Sequence, residues 1–206
     1  MILQNKNYFL DFDLAIDAIL SGSIIIYPTE TFYALGCLFT NQQSMLDIYK
    51  IKKRDKKLLL PCIAADLKQI STIADISNLS DKLISFWPGP LSIVLPLLNS
   101  SNSIAIRIPN SYLAKNLAKY CGILVSTSAN MSGNDAIIYH KDIDKNLLDE
   151  VISLGGGILR ENISCHPIGG LASTIVELIE MDTIKILRKG AISVDQLKNS
   201  GLTIIS

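Results

Sequence analysis

Short apolar runs alternate with helix-patterned segments in the first half of this 206-residue chain, whereas later apolar runs follow one another directly. Residues 23–27 form a largely apolar run that stops at Pro28, which is typical of a strand buried on both faces of a sheet. Residues 13–20 and 41–51 instead carry apolar side chains at helical spacing. This pattern predicts one mixed α/β sheet with helices packed against it.

The same patterns predict the remaining elements. Helices are expected over residues 80–86, 112–120, from about 142, and 194–199. Strands are expected over residues 58–64, 91–97, 103–108, 123–126, 151–154, 173–179 and 183–187. Strands 91–97 and 103–108 are expected to be neighbours because the link between them is short. The chain has no repeat and no long linker, so we predict a single domain over residues 1–206.

Composition excludes several classes of protein. An apolar fraction of 49% argues against disorder. Nineteen basic side chains balance nineteen acidic ones, which disfavours an indiscriminate nucleic-acid binder and confines any anion binding to a local site. No signal peptide pattern and no membrane-length apolar run are found, so a cytoplasmic protein is expected. Four widely spaced cysteines indicate free thiols rather than a zinc site or disulfides: Cys37, Cys62, Cys121 and Cys165.

Polar clusters follow two of the predicted elements. Thr29, Glu30 and Thr31 come directly after the buried strand, although such residues are also ordinary in turns. Lys52 and Arg54 follow the second helix and could share one anion only if that helix ends by about Ile51. The alternative is a solvated basic helix end, whose cations complement the helix dipole.

A third cluster, Ser126-Thr127-Ser128-Ala129-Asn130, offers small hydrogen-bond donors after a strand, which suits a phosphate or a carboxylate. Arg107 lies in an apolar strand and needs an acidic partner if buried. That partner could be a protein carboxylate or a ligand carboxylate held bidentately.

Other motifs carry no predicted chemistry. The chain has no phosphate-binding P-loop. The run Gly155-Gly156-Gly157 is interpreted as a flexible turn after a strand. His140 and His166 have no partner at metal-ligand spacing, so both are interpreted as exposed loop residues, and no protein metal site is predicted.

In order along residues 10–191, the motifs of this chain resemble those of the YrdC-like threonylcarbamoyl-adenylate synthases. The matching segments, besides Lys52-x-Arg54, are Pro28-Thr29-Glu30-Thr31, Trp87-Pro88-Gly89-Pro90, Ala105-Ile106-Arg107-Ile108-Pro109, Ser126 to Gly133, Ser173-Thr174-Ile175-Val176 and Ile186 to Gly190. The resemblance implies a twisted, largely parallel, open sheet around a concave electropositive cavity. Residues 192–206 would then be a short C-terminal extension of this core.

The resemblance also implies an activity and a set of site residues. Members make threonylcarbamoyl-AMP and pyrophosphate from L-threonine, bicarbonate or CO₂, and ATP, and a separate transferase then modifies tRNA. Mg²⁺ is expected with the pyrophosphate. Lys52, Arg54, Ser128 and Asn130 would form the catalytic set. Threonine would be held by Thr31, Arg107, Ser126 and Ser173. ATP would contact Arg54, Leu58, Ser103, Ser128, Asn130, Ala136 and Arg188.

Two departures and two alternatives accompany this interpretation. Ala34 replaces a usual glycine, and Asp55 replaces a usual proline and could pair with Arg54. The main alternative is a non-catalytic RNA-binding paralogue of the same fold. A carbamoyl-transfer module of hydrogenase maturation is a further alternative, disfavoured because the zinc-finger-like and acylphosphatase-like regions of those longer chains are not found in this sequence.

Overall fold

The computed structural model describes residues 8–160 and 170–205. Its strands are β1 (Phe9–Leu10), β2 (Ile25–Pro28), β3 (Tyr33–Leu38), β4 (Cys62–Ile63), β5 (Leu91–Pro96), β6 (Ser103–Arg107), β7 (Leu124–Ser128), β8 (Ile158–Leu159), β9 (Thr174–Glu180), β10 (Thr183–Arg188) and β11 (Thr203–Ile205). Its α-helices are α1 (Phe12–Leu20), α2 (Gln42–Ile51), α3 (Leu67–Ser71), α4 (Asp81–Ile84), α5 (Tyr112–Cys121), α6 (Lys145–Ser153) and α7 (Val194–Asn199). A 3₁₀ helix spans His140–Asp142.

The strands form one sheet in the order β1-β8-β2-β3-β7-β4-β6-β5-β9-β10-β11. Parallel pairing joins β1 to β8, β8 to β2, β4 to β6, β5 to β9 and β10 to β11. Antiparallel pairing joins the other neighbours, including the predicted pair β5 and β6. The sheet is open because β1 and β11 lie at opposite edges. The predicted mixed α/β fold with parallel pairing and flanking helices is confirmed.

Both faces of the central strands are buried. Ile24 and Ile26 pack into the larger apolar layer, whereas Ile25 and Tyr27 pack into the smaller one. Helices α1 and α5 supply side chains to the smaller layer, and α2, α6 and α7 supply side chains to the larger. This arrangement explains the unbroken apolar run before Pro28, since neither face of the strand meets water.

Capping side chains fix where several helices begin. The Asp11 carboxylate accepts the Leu14 N–H at the start of α1, and the Asn41 side chain accepts the Ser44 N–H at the start of α2. Such contacts satisfy N–H groups that have no partner within the helix. The predicted helices over 13–20, 41–51, 112–120 and 194–199 correspond to α1, α2, α5 and α7.

Two predicted strands differ from the structure. The strand expected over 58–64 is reduced to Cys62–Ile63, directly after Pro61, which cannot donate a ladder hydrogen bond. The strand expected over 151–154 is wrong, because residues up to Ser153 end α6. Val151 is apolar and β-branched, but it is buried here as part of the inward face of that helix. Strand β3 was not anticipated.

The triple glycine follows helix α6 rather than a strand, which corrects the predicted turn. Gly155 has a φ of +79°, a left-handed conformation that favours glycine. A Cβ on Gly156 would lie 1.8 Å from the carbonyl oxygen of Ile24. The run is therefore required for close backbone approach between the end of α6 and the central strands.

Residues 192–205 pack onto the sheet. Strand β11 pairs with β10, and Leu197 and Leu202 are buried in the larger apolar layer. The Lys82 ammonium bonds to Asp182 and to the Gly201 carbonyl oxygen, at 2.6 and 3.1 Å. Among the described residues, no helix has the length and apolar character needed to cross a membrane.

Candidate active site

A cavity of about 170 Å³ lies where the β2–β3 hairpin loop meets the ends of β6 and β7 and the start of β9. We call this cavity the central cavity. Eight of the residues singled out from the sequence line it: Thr31, Arg54, Arg107, Ser126, Ser128, Ala136, Ser173 and Arg188. The structure thus brings together all four residues assigned to threonine, from positions 31 to 173.

A second pocket of about 250 Å³ adjoins the first, and we call it the basic pocket. It contains the remaining catalytic candidates, being lined by Lys52, Lys53, Arg54, Asp55, Leu58, Ser128, Asn130, Ser132 and Gly133. Arg54 and Ser128 line both spaces. Two ligands, or two parts of one ligand, can therefore meet at these two residues.

Ser103 lies apart from the other candidates. It lines an apolar pocket of about 460 Å³ with Met45, Tyr49 and Leu97. This apolar pocket shares Leu59 and Cys62 with the central cavity. The nucleotide role assigned to Ser103 stays a prediction, and its position requires a ligand that reaches past these two shared residues.

Lys52 lies inside the molecule instead of at a solvated helix end. Helix α2 stops at Ile51, as a shared Lys52–Arg54 site requires, and Lys53 adopts a left-handed φ of +49°. Lys52 is only 2% exposed. Its ammonium donates to the carbonyl oxygens of Ser128 and Asn130 and, at 3.4 Å, to Asn130 Oδ1. The interpretation as a solvated helix end is wrong.

The environment of Lys52 disfavours its charge. Burial, and secondarily the positive charge of Arg54, lowers the pKa of Lys52 to about 8. The three oxygen acceptors are what compensate an ammonium placed there. Lys52 thus anchors the loop that follows β7, and the backbone N–H of Ser132 completes the connection by donating to the Lys52 carbonyl oxygen at 3.2 Å.

Arg54 is oriented by the segment that follows it. Its Nη2 donates to the Leu59 carbonyl oxygen at 3.1 Å, and its Nε lies 3.5 Å from that of Leu58. Leu58 therefore contributes a backbone group here, as expected for an apolar side chain at such a site. Asp55 forms no ion pair with Arg54; its carboxylate accepts the Lys57 N–H at 2.9 Å. The suspected competition from Asp55 is not seen.

Asn130 is buried and engaged on both sides of its amide. Its Nδ2 donates to the Asn134 carbonyl oxygen at 2.5 Å, while its Oδ1 faces Lys52. The neighbouring Ala129 N–H donates to the Tyr33 carbonyl oxygen at 2.8 Å. These contacts fix the backbone of the loop after β7 and the side chain of Asn130 at the basic pocket.

The acidic partner of Arg107 is Glu30, which belongs to the polar cluster after β2 but was given no role from the sequence. Arg107 Nη1 donates to Glu30 Oε1, and both side chains are less than a tenth exposed. Nη1 also lies 3.4 Å from the Gly89 carbonyl oxygen. The sequence contained a signal: a strand arginine needs an acid, and Glu30 is the one acid between β2 and β3.

Arg188 holds the backbone of the predicted threonine site. Its Nε and Nη2 donate to the Ser173 carbonyl oxygen at 3.1 and 2.8 Å. Burial, followed by the charges of Arg54 and Arg107, lowers the pKa of Arg188. Three arginines thus converge on the central cavity, and none of its described lining residues is acidic. The cavity is suited to anions.

Metal and thiol chemistry find little support in this part of the chain. No group of three or more His, Cys, Asp or Glu side chains that could hold a metal occurs among residues 8–160 and 170–205. His140 packs edge-on against the Phe9 ring, at 5.3 Å between centroids. Burial raises the pKa of Cys37 to about 12 and that of Cys62 further, so both remain thiols. Cys165 and His166 lie outside the described residues.

Comparison with known proteins places these features in a family. Residues 17–190 match the Sua5/YciO/YrdC family model, whose description is "Telomere recombination". A relative from Methanocaldococcus jannaschii, named putative threonylcarbamoyl-AMP synthase, is 32% identical over 189 residues, which cover 87% of this chain and 85% of the relative. One from Aliivibrio fischeri, named threonylcarbamoyl-AMP synthase, is 33% identical over 131 residues, covering 57% of this chain and 71% of the relative.

Solved structures share the fold. P. abyssi Sua5 complexed with L-threonine superposes with a TM-score of 0.78 at 22% identity, covering 96% of this chain. The chain spans 62% of the length of that protein. E. coli YciO superposes with a TM-score of 0.74 at 20% identity, over 92% of this chain and 98% of its own. Because the family model matches residues 17–190, which are most of this chain, the chain belongs to the Sua5/YciO/YrdC family.

Proposed function

We propose that this protein is a threonylcarbamoyl-AMP synthase, which converts L-threonine, bicarbonate or CO₂, and ATP into threonylcarbamoyl-AMP and pyrophosphate. The names of the M. jannaschii and A. fischeri relatives support this proposal. The observation that carries it is the junction of two pockets at Arg54 and Ser128. An amino acid in the central cavity and a triphosphate in the basic pocket would meet there.

The reaction requires two bond-forming steps. The threonine amine attacks the carbon of CO₂ and loses a proton, which gives a carbamate. A carbamate oxygen then attacks the α-phosphorus of ATP, and the bond to the bridging oxygen breaks to release pyrophosphate. The second step brings together two anions, the carbamate and the triphosphate, so positioning and charge neutralisation matter more than a strong base.

Threonine would be held in the central cavity. Arg107 would bind its carboxylate, and Thr31, Ser126 and Ser173 supply hydroxyl groups around it. Arg188 acts partly through Ser173, whose carbonyl oxygen it already binds. Its Nη1 has no acceptor among the described residues and would be available for the nucleotide phosphate.

ATP would be held at the basic pocket. Arg54 and Ser128 line both spaces, so the α-phosphate would meet the carbamate at these two residues. Lys52 and Asn130 orient the loop that carries Ser128. Leu58, Ala136 and Ser103 are the further nucleotide contacts, Leu58 through its backbone.

Mg²⁺ fits this site as an ion carried by the phosphates. Asp55 is the one acid among the described residues lining the basic pocket, and its carboxylate accepts the Lys57 N–H. Mg²⁺ commonly binds substrate phosphates and water with few protein ligands. When bound, it would neutralise charge on the departing pyrophosphate.

The test is pyrophosphate release by the purified chain with ATP and Mg²⁺, with L-threonine and bicarbonate omitted in turn. The adenylate product is identified by its mass. We expect release that requires both co-substrates. If a folded chain binds ATP but releases nothing, the proposal is wrong, and the RNA-binding alternative would then be tested by the salt dependence of RNA affinity.

The product would be consumed by an enzyme that transfers the threonylcarbamoyl group to tRNA. An acyl-type adenylate is reactive, so a partner of that class must act soon after its synthesis. This partner is part of the proposal and is tested by adding the transferase and tRNA to the same assay.

A further inference from the structure

Arg107 forms a buried ion pair with Glu30, and the proposed function assigns no role to Glu30. Glu30 lies in the loop of the β2–β3 hairpin, and Arg107 ends β6, 77 positions later. Both side chains are nearly excluded from solvent, at 9% and 7% exposure. Removing two charges from water costs more than such a pair usually returns, so stability alone is a poor explanation.

Glu30 serves Arg107 and no other described side chain. Its second carboxylate oxygen, Oε2, is buried and has no hydrogen-bond partner in the described part of the chain. The loop that carries it is rigid, because Thr29 Oγ1 contacts Thr31 Oγ1 at 3.0 Å and donates to the Phe32 carbonyl oxygen at 2.7 Å. The carboxylate is therefore fixed in position before any ligand binds.

The guanidinium of Arg107 is hydrogen-bonded to the described part of the protein on one side only. Nη1 is taken by Glu30 and approached by the Gly89 carbonyl oxygen. Nε and Nη2 have no acceptor among the described residues. Arg107 lines the central cavity, whereas Glu30 does not. The Nε–Nη2 edge is thus the edge left to receive a carboxylate, and such an edge binds one with two parallel hydrogen bonds.

We propose that Glu30 is a positioning residue that holds the Nη1 side of Arg107 so that its Nε–Nη2 edge receives the carboxylate of the amino-acid substrate. The identity of that substrate as L-threonine rests on the proposed function. Glu30 does not touch the substrate and affects only the group that Arg107 binds. Its removal therefore weakens binding of a carboxylate while leaving nucleotide affinity unchanged.

The experiment measures ligand binding to the full chain by calorimetry, using Glu30→Gln, Glu30→Asp and the control Asp182→Asn. The control removes the acid of an exposed ion pair, that with Lys82. The ligands are L-threonine, L-threoninol, which lacks the carboxylate, and ATP. We expect Glu30→Gln to weaken L-threonine binding about tenfold or more, since a charge-assisted contact is misaligned. ATP and L-threoninol affinities should stay within about twofold of those of the unaltered protein.

Glu30→Asp keeps the charge but shortens the side chain by one methylene, so we expect a smaller loss for L-threonine. It also provides the measurement if Glu30→Gln fails to fold, which thermal unfolding will report. Asp182→Asn should leave all three affinities unchanged.

Three results would overturn the role of Glu30. Unchanged L-threonine binding means that Arg107 needs no positioning. Tighter binding means that Glu30 competes with the substrate carboxylate for Arg107. Equal losses for L-threonine and L-threoninol mean a general structural defect. If the unaltered chain binds no L-threonine, the proposed function fails as well, and that outcome is distinct because it is seen before any substitution.

Discussion

Lys52 places an ammonium group where almost no water reaches it and surrounds it with three oxygen acceptors of one loop. Its direct effect is on the backbone that carries Ser128 and Asn130. A phosphate in the basic pocket would therefore sense Lys52 mostly through that loop. Loss of this side chain should disturb two hydrogen-bonding residues at once.

The first prediction concerns pH. Burial lowers the pKa of Lys52 to about 8, from 10.5. Between these two pH values, Lys52 carries a proton in the unfolded chain but not in the native state. The free-energy cost of burying Lys52 therefore falls as the pH rises from about 8 to 10.5. The free energy of unfolding of the unaltered protein should rise relative to Lys52→Met by up to roughly 3 kcal/mol. Urea unfolding of both proteins at several pH values measures this.

Titration of the buried thiols does not confuse this comparison. Their raised pKa values lower stability at alkaline pH, but equally in both proteins, so the difference isolates Lys52. Well below pH 8 the difference should be constant. A difference that stays constant through the window would mean that the three oxygens keep the ammonium charged.

Residue roles could be inferred from the sequence only in part. The pairing of Lys52 with Arg54 was conditional on where α2 ends, and the helix does end at Ile51. That Lys52 turns inward depends on its contacts with Ser128 and Asn130, which are distant in sequence and which no local pattern fixed. Glu30 was passed over because an acid within a Pro-Thr turn also suits ordinary turn chemistry. Its partner Arg107 is distant in sequence.

At the scale of elements, the end of α2 is the feature that shapes the basic pocket. Lys53 has φ +49°, which costs a residue with a Cβ about 1–2 kcal/mol. Lys52, directly before this residue, lies in the interior, and Arg54, directly after it, lines both pockets. The strain is local, so it can be measured by substitution at Lys53 alone.

The second prediction compares two substitutions there. Lys53→Asn should leave the free energy of unfolding unchanged or slightly increased, because asparagine tolerates the left-handed region. Lys53→Ile should reduce it by about 1–2 kcal/mol, since a branched Cβ is disfavoured there. Both variants lose the same charge, so their difference in urea unfolding reports the backbone. Equal stabilities would show that the segment relaxes into another conformation.

Elements with regular periodicity were predictable, and short ones were not. Helices α1, α2 and α5 have apolar faces that match their burial. Strand β3 was missed because its apolar run follows a polar loop closely and looked like part of that cluster. Strand β4 keeps only two residues because its pairing with β6 and β7 starts after Pro61. These outcomes depend on tertiary pairing, which a single segment does not encode.

At the scale of the whole molecule, residues 192–205 are part of the packed structure. They were predicted as a short extension of the core. In the structure β11 lengthens the sheet, and Leu197 and Leu202 are buried against residues of earlier elements. The assembly of the central cavity could not be predicted from local sequence patterns either, because its lining residues lie between positions 29 and 188.

The third prediction is that deletion of residues 192–206 lowers the free energy of unfolding by roughly 3–6 kcal/mol. Each buried leucine contributes about 1.5–3 kcal/mol. Leu197→Ala should cost about 2–5 kcal/mol. The matched control Leu20→Ala, at a leucine that is 54% exposed, should cost much less. Urea unfolding of the four proteins measures this, and a deletion without effect would make the segment dispensable.

The bridge from Lys52 to the loop after β7 joins residues 76 and 78 positions apart. A growing chain that has made α2 but not β7 therefore has only half of the basic pocket. Under the proposed function, ATP would bind only to molecules in which both halves of the basic pocket are assembled. Because a ligand that binds the native state alone stabilises that state, the substrate itself would select for chains that have completed folding.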